Sequence, residues 1–384
     1  MELKTVKFIK ENNNWKEILS APPYSLTIKE DKEYYLLKYN QLESDFSIDI
    51  VKECRGLIID KKLLIPVALS FTKFFNIEEP NANRISWSNC RVQEKVDGAK
   101  ILVWYNRNKW HVSTSGNIDA YTTMVGDLGF SYGQLFDEAV LNLKDANHQQ
   151  LFQSTDDFLT KLNPLLCYTF ELISPKARIV IAYKQTEIRF IGLRNVIDME
   201  ELNPDEDYIA TIVKRPKEFP IVSAKDCMDK ASKLGLDQEG FVVVDYRWRR
   251  VKVKSPLYIK AHYLKNNSIQ SKGRLLGIIE SNEQDEFLSY FPEWTEDINR
   301  LLDKRELFKS ELYRACTDVF NYANGLDRNL PDYQKIVAQY IMTHYEKFQA
   351  FIFKILKIDL LSYYIDGEWG KLSNDKKLEH IGEK

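Results

Sequence analysis

Runs of aromatic and β-branched residues recur through the first three-fifths of the chain and predict β-strands. The first two runs are separated by charged turn residues, which favours a hairpin. The later runs have the same composition and are each long enough for a strand. The predicted strands are residues 24–28, 33–39, 57–60, 91–94, 101–105, 110–114, 166–173, 188–193, 240–244 and 251–254.

Two segments between these strands, residues 131–144 and 156–162, have helical character instead. Helices mixed with strands make the first part of the chain an α+β region. The pattern changes after about His262, where apolar residues recur at helical spacing in two stripes, 298–319 and 336–356. The stripes predict two long helices, separated by asparagine, glycine and proline residues.

The length of 384 residues supports a division of the chain, because one hydrophobic core rarely extends so far. We predict an α+β domain over residues 1–262 and an all-helical domain over residues 263–384. The lysine-rich end past Asn374 is expected to be frayed.

Charge and cysteine usage exclude several classes of protein. Lys plus Arg (54) against Asp plus Glu (56) gives a net charge of −2, so any nucleic-acid contact must be local rather than histone-like. The five cysteines form no CxxC pair or zinc spacing and are expected to be reduced. No signal peptide opens the chain and no uncharged apolar run approaches the roughly 18 residues of a membrane span. We expect a soluble cytoplasmic protein without a membrane partner.

Lys95 precedes an Asp-Gly turn between two predicted strands, where a loop can open onto a pocket. Alone, Lys-x-Asp-Gly is a weak signal, since a solvated lysine before a turn has the same pattern. A lysine amine is a nucleophile only when neutral, and burial beside other cations favours that form. Asp97 could orient the amine or hold a magnesium-bound water, and Gly98 would let backbone approach a phosphate. Lys95 could then attack the α-phosphorus of ATP.

Three later segments could supply the charges that such a reaction needs. Glu239-Gly240 opens an apolar strand, and ten residues on, strand alternation puts Lys252 and Lys254 on one face. A solvated edge strand would also explain the two lysines. Glu171 lies in an apolar run, where it is either a structural partner for an arginine such as Arg178 or a ligand to ribose or metal.

In this order the segments resemble motifs I, III, IV and V of the covalent nucleotidyltransferases, which comprise DNA ligases, RNA ligases and mRNA capping enzymes. The four segments are Lys95-x-Asp97-Gly98, Phe170-Glu171, Glu239-Gly240 and Lys252-x-Lys254. The chain is also similar to a narrower group, the RNA ligase 1 family typified by the T-even phage enzyme. That similarity rests on residues 53–56 and 73–76 upstream, and on Ser255 and Tyr258 downstream.

The resemblance implies a nucleotidyltransferase (ATP-grasp-like) adenylation domain with antiparallel sheets, followed by the helical domain. It implies catalytic roles for Lys95, Lys252, Lys254, Glu171 and Glu239. It also implies ATP contacts at Tyr39, Arg55, Lys73, Phe75, Asp97, Gly98, Glu171, Glu239, Gly240, Lys252 and Lys254. Mg²⁺ would be held by Asp97, Glu171 and Glu239.

Within that set, Lys95 would carry AMP, Arg55 and Lys73 would contact the triphosphate, and Lys252 and Lys254 would grip the α-phosphate. Phe75 would support the adenine or ribose pocket, and Tyr39 would reach the phosphates. The apolar members of residues 189–193 could sandwich adenine. One departure from the family is Ser115, which stands before Gly116 where relatives often carry a basic residue; another lysine such as Lys100 could compensate.

The implied function is an ATP-dependent RNA ligase that joins 5′-phosphate and 3′-hydroxyl RNA ends through lysyl-AMP, with tRNA repair as one candidate role. We expect a monomer, in the host cytoplasm if the gene is phage-borne. A DNA ligase or capping enzyme would normally continue into a β-rich OB-fold, whereas helical periodicity follows here. A non-catalytic nucleotide- or RNA-binding protein of the same fold is the remaining alternative.

Overall fold

The computed structural model describes residues 3–41, 43–126, 128–259, 272–290, 292–355 and 361–383. The chain divides into two compact units, Met1–Asn266 and Asn267–Lys384. The predicted domain boundary at residue 262 lies outside the described residues. No helix in the described ranges has both the length and the apolar character needed to cross a membrane.

The first sheet has four antiparallel strands in sequence order. They are β1 (Leu26–Glu30), β2 (Tyr34–Tyr39), β3 (Arg55–Asp60) and β4 (Pro66–Ala68). Helices Lys4–Glu11, Trp15–Ser20 and Asp49–Glu53 pack on one face of this sheet through buried apolar residues. The other face packs against Leu102 and Trp104 of the second sheet, so both sheets share a core.

The second sheet is antiparallel with the strand order β11-β10-β9-β7-β8. Its strands are β7 (Ala99–Asn106), β8 (Lys109–Thr114), β9 (Leu166–Ile173), β10 (Glu187–Asn195) and β11 (Glu201–Leu202). Helices Tyr132–Leu141 and Thr155–Leu159 cover the face opposite the first sheet. A capping box at Ser131 and Gln134 starts the longer helix.

The third sheet has the strand order β12-β6-β13-β14-β5. Its strands are β5 (Phe75–Asn76), β6 (Cys90–Glu94), β12 (Glu218–Phe219), β13 (Gly240–Asp245) and β14 (Arg250–Lys254). All pairs are antiparallel except β14 with β5, which is parallel. Helix Ala224–Ala231 covers one face through Cys227 and Ala231, and the opposite face therefore remains available for the site.

In the second unit, every element assigned among the described residues is helical. The helices are Lys272–Glu280, Gln284–Tyr290, Thr295–Asn324, Tyr333–His344, Gln349–Ile355, Leu361–Gly370 and Asn374–His380, with short 3-10 turns at Pro292–Trp294 and Glu346–Phe348. The α+β fold with largely antiparallel sheets and a helical C-terminal part is thus confirmed.

Two helical predictions are corrected. The stripe over 336–356 is two helices, because the chain leaves helical geometry at Tyr345, whose hydroxyl donates to Asp318 at 2.6 Å. Leu356 itself lies outside the described residues. The end past Asn374 is a helix rather than frayed, because Lys377 is buried and its amine pairs with Glu280 at 2.7 Å.

Candidate active site

A cavity of about 360 Å³ opens between the second and third sheets. It is lined by residues of several elements: Arg55, Phe71, Phe74, Gln93, Glu94, Lys95, Val96, Gly98, Lys100, Ser115, Glu171, Ile191, Pro216, Val242, Arg250, Lys252 and Lys254. A larger groove of about 610 Å³ lies beside helix Lys4–Glu11, but its lining is mostly apolar and includes none of the predicted site residues. The chemistry therefore favours the smaller cavity.

The third sheet supplies one wall of the cavity because its strands are in register. Val242 pairs with Gln93 on one side and with Lys252 on the other, so these three side chains share a face. Lys254 lies two residues further on that face, while Val251 and Val253 are buried under the helix on the other face. The alternation expected for Lys252 and Lys254 is present.

Lys95 follows the last residue of β6 and is held there by its own backbone N–H, which donates to the carbonyl of Gly240 at 2.9 Å. Its amine lies 2.5 Å from Oε1 of Glu239, and the lysine side chain keeps 20% of its surface exposed. Glu239 is buried, with 5% of its side chain exposed. The structure therefore brings the predicted nucleophile and the predicted motif IV carboxylate into direct contact.

Two glycines permit the close approach of these strands. Gly240 has φ +145°, and a Cβ added there would lie 2.2 Å from the carbonyl oxygen of Val253. At Gly98 an added Cβ would lie 2.4 Å from the carbonyl oxygen of Leu172 on β9. Any side chain at either position would push the strands of the cavity wall apart.

The second sheet places a carboxylate and an amine side by side in the opposite wall, since Glu171 on β9 pairs with Lys100 on β7. Desolvation raises the pKa of Glu171 to about 7, opposed by Lys95 and reinforced by Glu239. Desolvation, reinforced by the Arg55 guanidinium, lowers the pKa of Lys100 well below its ordinary value. Glu171 has no salt bridge in the described residues, and Arg178 donates Nε to the carbonyl of Val180. Such displaced pKa values are typical of functional sites.

Arg55 begins β3 and reaches the cavity with its guanidinium 4.8 Å from the ring of Phe74. Its Nη1 is buried and has no hydrogen-bond partner within the described ranges. A buried guanidinium nitrogen without an acceptor can receive an anionic oxygen. This placement fits the contact with triphosphate that the resemblance implies.

Asp97 is not part of the cavity lining among the described residues, and both of its carboxylate oxygens are already engaged. Oδ2 accepts from the backbone N–H groups of Val180 and Ile181 at 2.9 and 2.8 Å, and Oδ1 accepts from the Tyr258 hydroxyl at 2.8 Å. The described residues contain no group of three side chains suited to hold a metal alone. The geometry favours an anchoring role for Asp97 rather than the expected metal-water contact.

Three other predicted nucleotide ligands lie together in a separate cluster. The amine of Lys73 is 4.9 Å from the ring of Tyr39, 5.4 Å from that of Phe75 and 4.7 Å from that of Phe46. It also donates to Gln41 at 3.3 Å. None of these residues lines the described part of the cavity, whose aromatic wall is formed by Phe71 and Phe74 instead of the expected Phe75.

Arg250 was not predicted as a site residue, but it lines the cavity and its guanidinium stacks 4.2 Å from the ring of Phe71. It also forms a bidentate ion pair with Glu201. The signal was present, because Arg250 occupies the same alternating positions as Lys252 and Lys254. No sequence pattern comparable to this alternation marks Phe71, Phe74 or Gln93 as cavity residues. The packing of a loop brings the two phenylalanines to the cavity.

Comparison with known proteins gives a family. A family model described as RNA ligase matches residues 53–258. A protein of Autographa californica nuclear polyhedrosis virus, named as a bifunctional polynucleotide kinase/RNA ligase, is 31% identical over 75% of this chain, which spans 42% of the length of that protein. An RNA ligase of Rhodothermus phage RM378 is 23% identical, covering 82% of this chain and 83% of its own.

Among solved structures, an archaeal ATP-dependent RNA ligase aligns with a TM-score of 0.45 at 15% identity, over 79% of this chain and 82% of that chain. The family match covers more than half of the present chain and includes every strand of the third sheet. The chain belongs to the phage-type RNA ligase 1 family.

Proposed function

We propose that this protein is an ATP-dependent RNA ligase that joins a 5′-phosphate to a 3′-hydroxyl and carries AMP on Lys95. One observation carries the proposal: the Lys95 amine lies at a cavity that is also lined by Arg55, Lys252 and Lys254. A polyphosphate entering there would meet three cations beside a nucleophile. Family membership supports the same activity.

In the first step the lone pair of Lys95 Nζ attacks the α-phosphorus of ATP. The N–P bond forms, the bond to the bridging oxygen breaks, and pyrophosphate leaves with the electron pair. The amine must lose a proton to become nucleophilic, and Oε1 of Glu239, at 2.5 Å, is placed to accept it. Lys252, Lys254 and Arg55 would neutralise the charge that develops on phosphate oxygens.

In the second step the 5′-phosphate of RNA attacks the same phosphorus, the P–N bond breaks, and Lys95 regains its proton. The 3′-hydroxyl then attacks the activated 5′-phosphate, and AMP leaves as the phosphodiester forms. All three steps are phosphoryl transfers, in which positioning and charge neutralisation supply most of the catalysis. No histidine base is required by this scheme.

Magnesium fits the site through substrate as well as protein oxygens. Mg²⁺ is usually bound by one or two carboxylates together with substrate phosphates, so an all-protein cage is not needed. Glu171 would hold it together with the Glu239 oxygen that does not contact the Lys95 amine, whereas Asp97 has both of its oxygens engaged. When bound, the ion would neutralise phosphate charge and orient the leaving pyrophosphate.

An RNA substrate is preferred over DNA sealing or capping because helices follow the adenylation unit in the described residues, where an OB-fold would bring short strands. We further propose that the protein repairs broken RNA, with tRNA as one candidate substrate. We also propose that it is monomeric and cytoplasmic.

The test incubates wild type and Lys95→Ala with α-phosphate-labelled ATP and magnesium, followed by denaturing electrophoresis. Wild type is expected to retain label on the protein, and the variant none. Label on Lys95→Ala, or an adduct formed only from GTP, would overturn the assignment. Sealing is then compared on 5′-phosphorylated RNA and DNA, single-stranded or nicked, together with an anticodon stem-loop cut in its loop. Equal sealing of DNA would contradict the RNA preference.

A further inference from the structure

We propose that Lys100 binds a phosphate of the nucleotide from the strand next to Ser115, supplying the positive charge that Ser115 cannot. The proposal rests on the function proposed above and adds one specific ligand to it. Both residues line the same cavity, and only Lys100 is cationic. In this proposal a lysine on the neighbouring strand supplies the positive charge that relatives often have at the position of Ser115.

Strand register brings the two positions close together. The ladder between β7 and β8 ends at the pair of Ile101 with Thr114, and Lys100 and Ser115 are the residues next to that last pair. On its other side Lys100 pairs with Glu171 on β9. Residues directly opposite on antiparallel strands have Cβ atoms roughly 5 Å apart, so the neighbours of the last pair are separated by a similarly short distance. A long lysine side chain can cover that separation.

The backbone beside Ser115 belongs to the same neighbourhood. Gly56 has φ +79°, and a Cβ added there would lie 2.7 Å from the carbonyl oxygen of Ser115. Arg55, the preceding residue, accepts a hydrogen bond on its carbonyl from the Lys100 amine at 3.4 Å. Lys100 thus contacts Arg55 directly, and Ser115 lies against Gly56, the residue after Arg55, so a phosphate that reaches the Arg55 guanidinium comes close to Lys100.

The amine of Lys100 has neutral partners only. It donates to Ser70 Oγ at 2.6 Å and to the Arg55 carbonyl, and it makes no ion pair with a carboxylate in the described residues. An ammonium has three N–H donors, so one remains for a further acceptor. The groups that act on it electrostatically are Arg55 on β3, Lys38 on β2, and Glu171 and Cys167 on β9. A half-buried cation beside another cation is best stabilised by an anion, and phosphate is the anion that this cavity would receive.

A purely structural lysine would behave differently. If Lys100 served only to tie β3 to β7, its removal would lower stability and weaken ATP and adenosine binding alike. If it binds phosphate, its removal weakens ATP and leaves adenosine unchanged. A lysine introduced at Ser115 would restore the charge only in the second case.

The experiment measures ATP and adenosine binding by calorimetry in the Lys95→Ala background, where no turnover occurs. Lys100→Met and Lys100→Gln are compared, because glutamine retains a donor for Ser70 while losing the charge. Both are expected to weaken ATP binding at least about tenfold and adenosine less than twofold, and adding Ser115→Lys should restore ATP binding to within about threefold. Lys109→Met, which removes an exposed lysine of β8, should change neither ligand.

The role of Lys100 would be refuted if its removal weakened ATP and adenosine binding equally. It would also be refuted if Ser115→Lys failed to restore ATP binding in a variant whose unfolding temperature equals that of the parent. The ligase proposal and the Lys100 proposal can be refuted independently of each other. Missing label on wild-type Lys95 would refute the ligase chemistry, whereas the difference between ATP and adenosine tests Lys100 without turnover.

Discussion

Two half-buried glutamates, one in each unit, have opposite electrostatic environments. Glu280 in the helical unit accepts from Arg305 at 2.8 Å, from Lys377 at 2.7 Å and from the Trp369 indole at 3.0 Å. These partners lower its pKa against the opposing effect of desolvation. Glu171 in the first unit has no such partner in the described residues, and desolvation raises its pKa to about 7. Direct partners thus lower the pKa of Glu280, whereas desolvation dominates at Glu171.

This difference between Glu280 and Glu171 distinguishes a carboxylate that stabilises the fold from one that is available to bind a ligand. Partners within the protein compensate the desolvation of Glu280, so this residue connects its own helix to three others. Glu171 forms no ion pair within the described residues, and desolvation outweighs the charges of Lys95, Lys100 and Arg55 nearby. Such groups persist where a metal ion or a ligand donor supplies the missing partner.

Glu280→Gln should destabilise the helical unit by about 3 to 4 kcal/mol, because Lys377 would be left buried without a counter-charge and Arg305 would keep only the exposed Glu306. Glutamine preserves the size of the side chain and an acceptor for Trp369. Urea denaturation followed by circular dichroism measures the change. Glu311→Gln is the matched control, since Glu311 pairs with Lys347 at 3.0 Å on the surface of the same unit. A loss no larger than the control's would mean that the buried network is not structural.

Glu171→Gln should instead stabilise the protein, and only at higher pH. The folded state holds a proton on Glu171 up to a pKa of about 7, whereas the unfolded carboxyl titrates near 4.5. The contribution of this group to stability is complete below about pH 4.5 and is lost as the pH rises through 7. The variant should therefore gain up to about 3 kcal/mol over wild type at pH 8.5 and much less at pH 5.5. A difference independent of pH would contradict the raised pKa.

Tyr258→Phe should cost about 1 to 3 kcal/mol, because Asp97 would lose one of its three donors. Asp97 resembles Glu280 in being buried with hydrogen-bond partners on both carboxylate oxygens. Tyr183→Phe is the control, since the Tyr183 hydroxyl accepts from the neutral backbone N–H of Asp97 at 3.2 Å and does not bind the Asp97 carboxylate in the part of the chain that the structure describes. We expect a smaller loss there, and an equal or larger loss would show that Tyr258 is not a main anchor of Asp97.

Much of the cavity wall could be predicted because it depends on local alternation. Lys252 and Lys254 share a face for the same reason that Val251 and Val253 are buried, and Lys95 follows β6 as its flanking strands indicate. The strands that were missed, such as β5 and β12, contain two residues each, too few to display a period. They form by pairing with distant strands, which no local pattern records.

Side-chain partners were the harder part of the site. Asp97 was expected near a metal, but its oxygens bind backbone and hydroxyl groups from residues 83 to 161 positions away. The aromatic wall is Phe71 and Phe74 rather than Phe75, because the direction of each ring is set by loop packing. Lys377 looked like part of a frayed tail, and only its pairing with Glu280 explains its burial. Long-range contacts of this kind depend on the tertiary fold.

The smallest predicted effect isolates burial from charge. Glu306 pairs with Arg305, the same arginine that binds Glu280, but keeps 63% of its side chain exposed, against 10% for Glu280. Water already solvates an exposed carboxylate, so Glu306→Gln should change the free energy of unfolding by at most about 0.5 kcal/mol. Urea denaturation of both variants under identical conditions gives the comparison directly. Because the arginine is common to both pairs, equal losses would mean that burial does not determine the strength of these contacts, and the contrast between Glu171 and Glu280 would lose its physical basis.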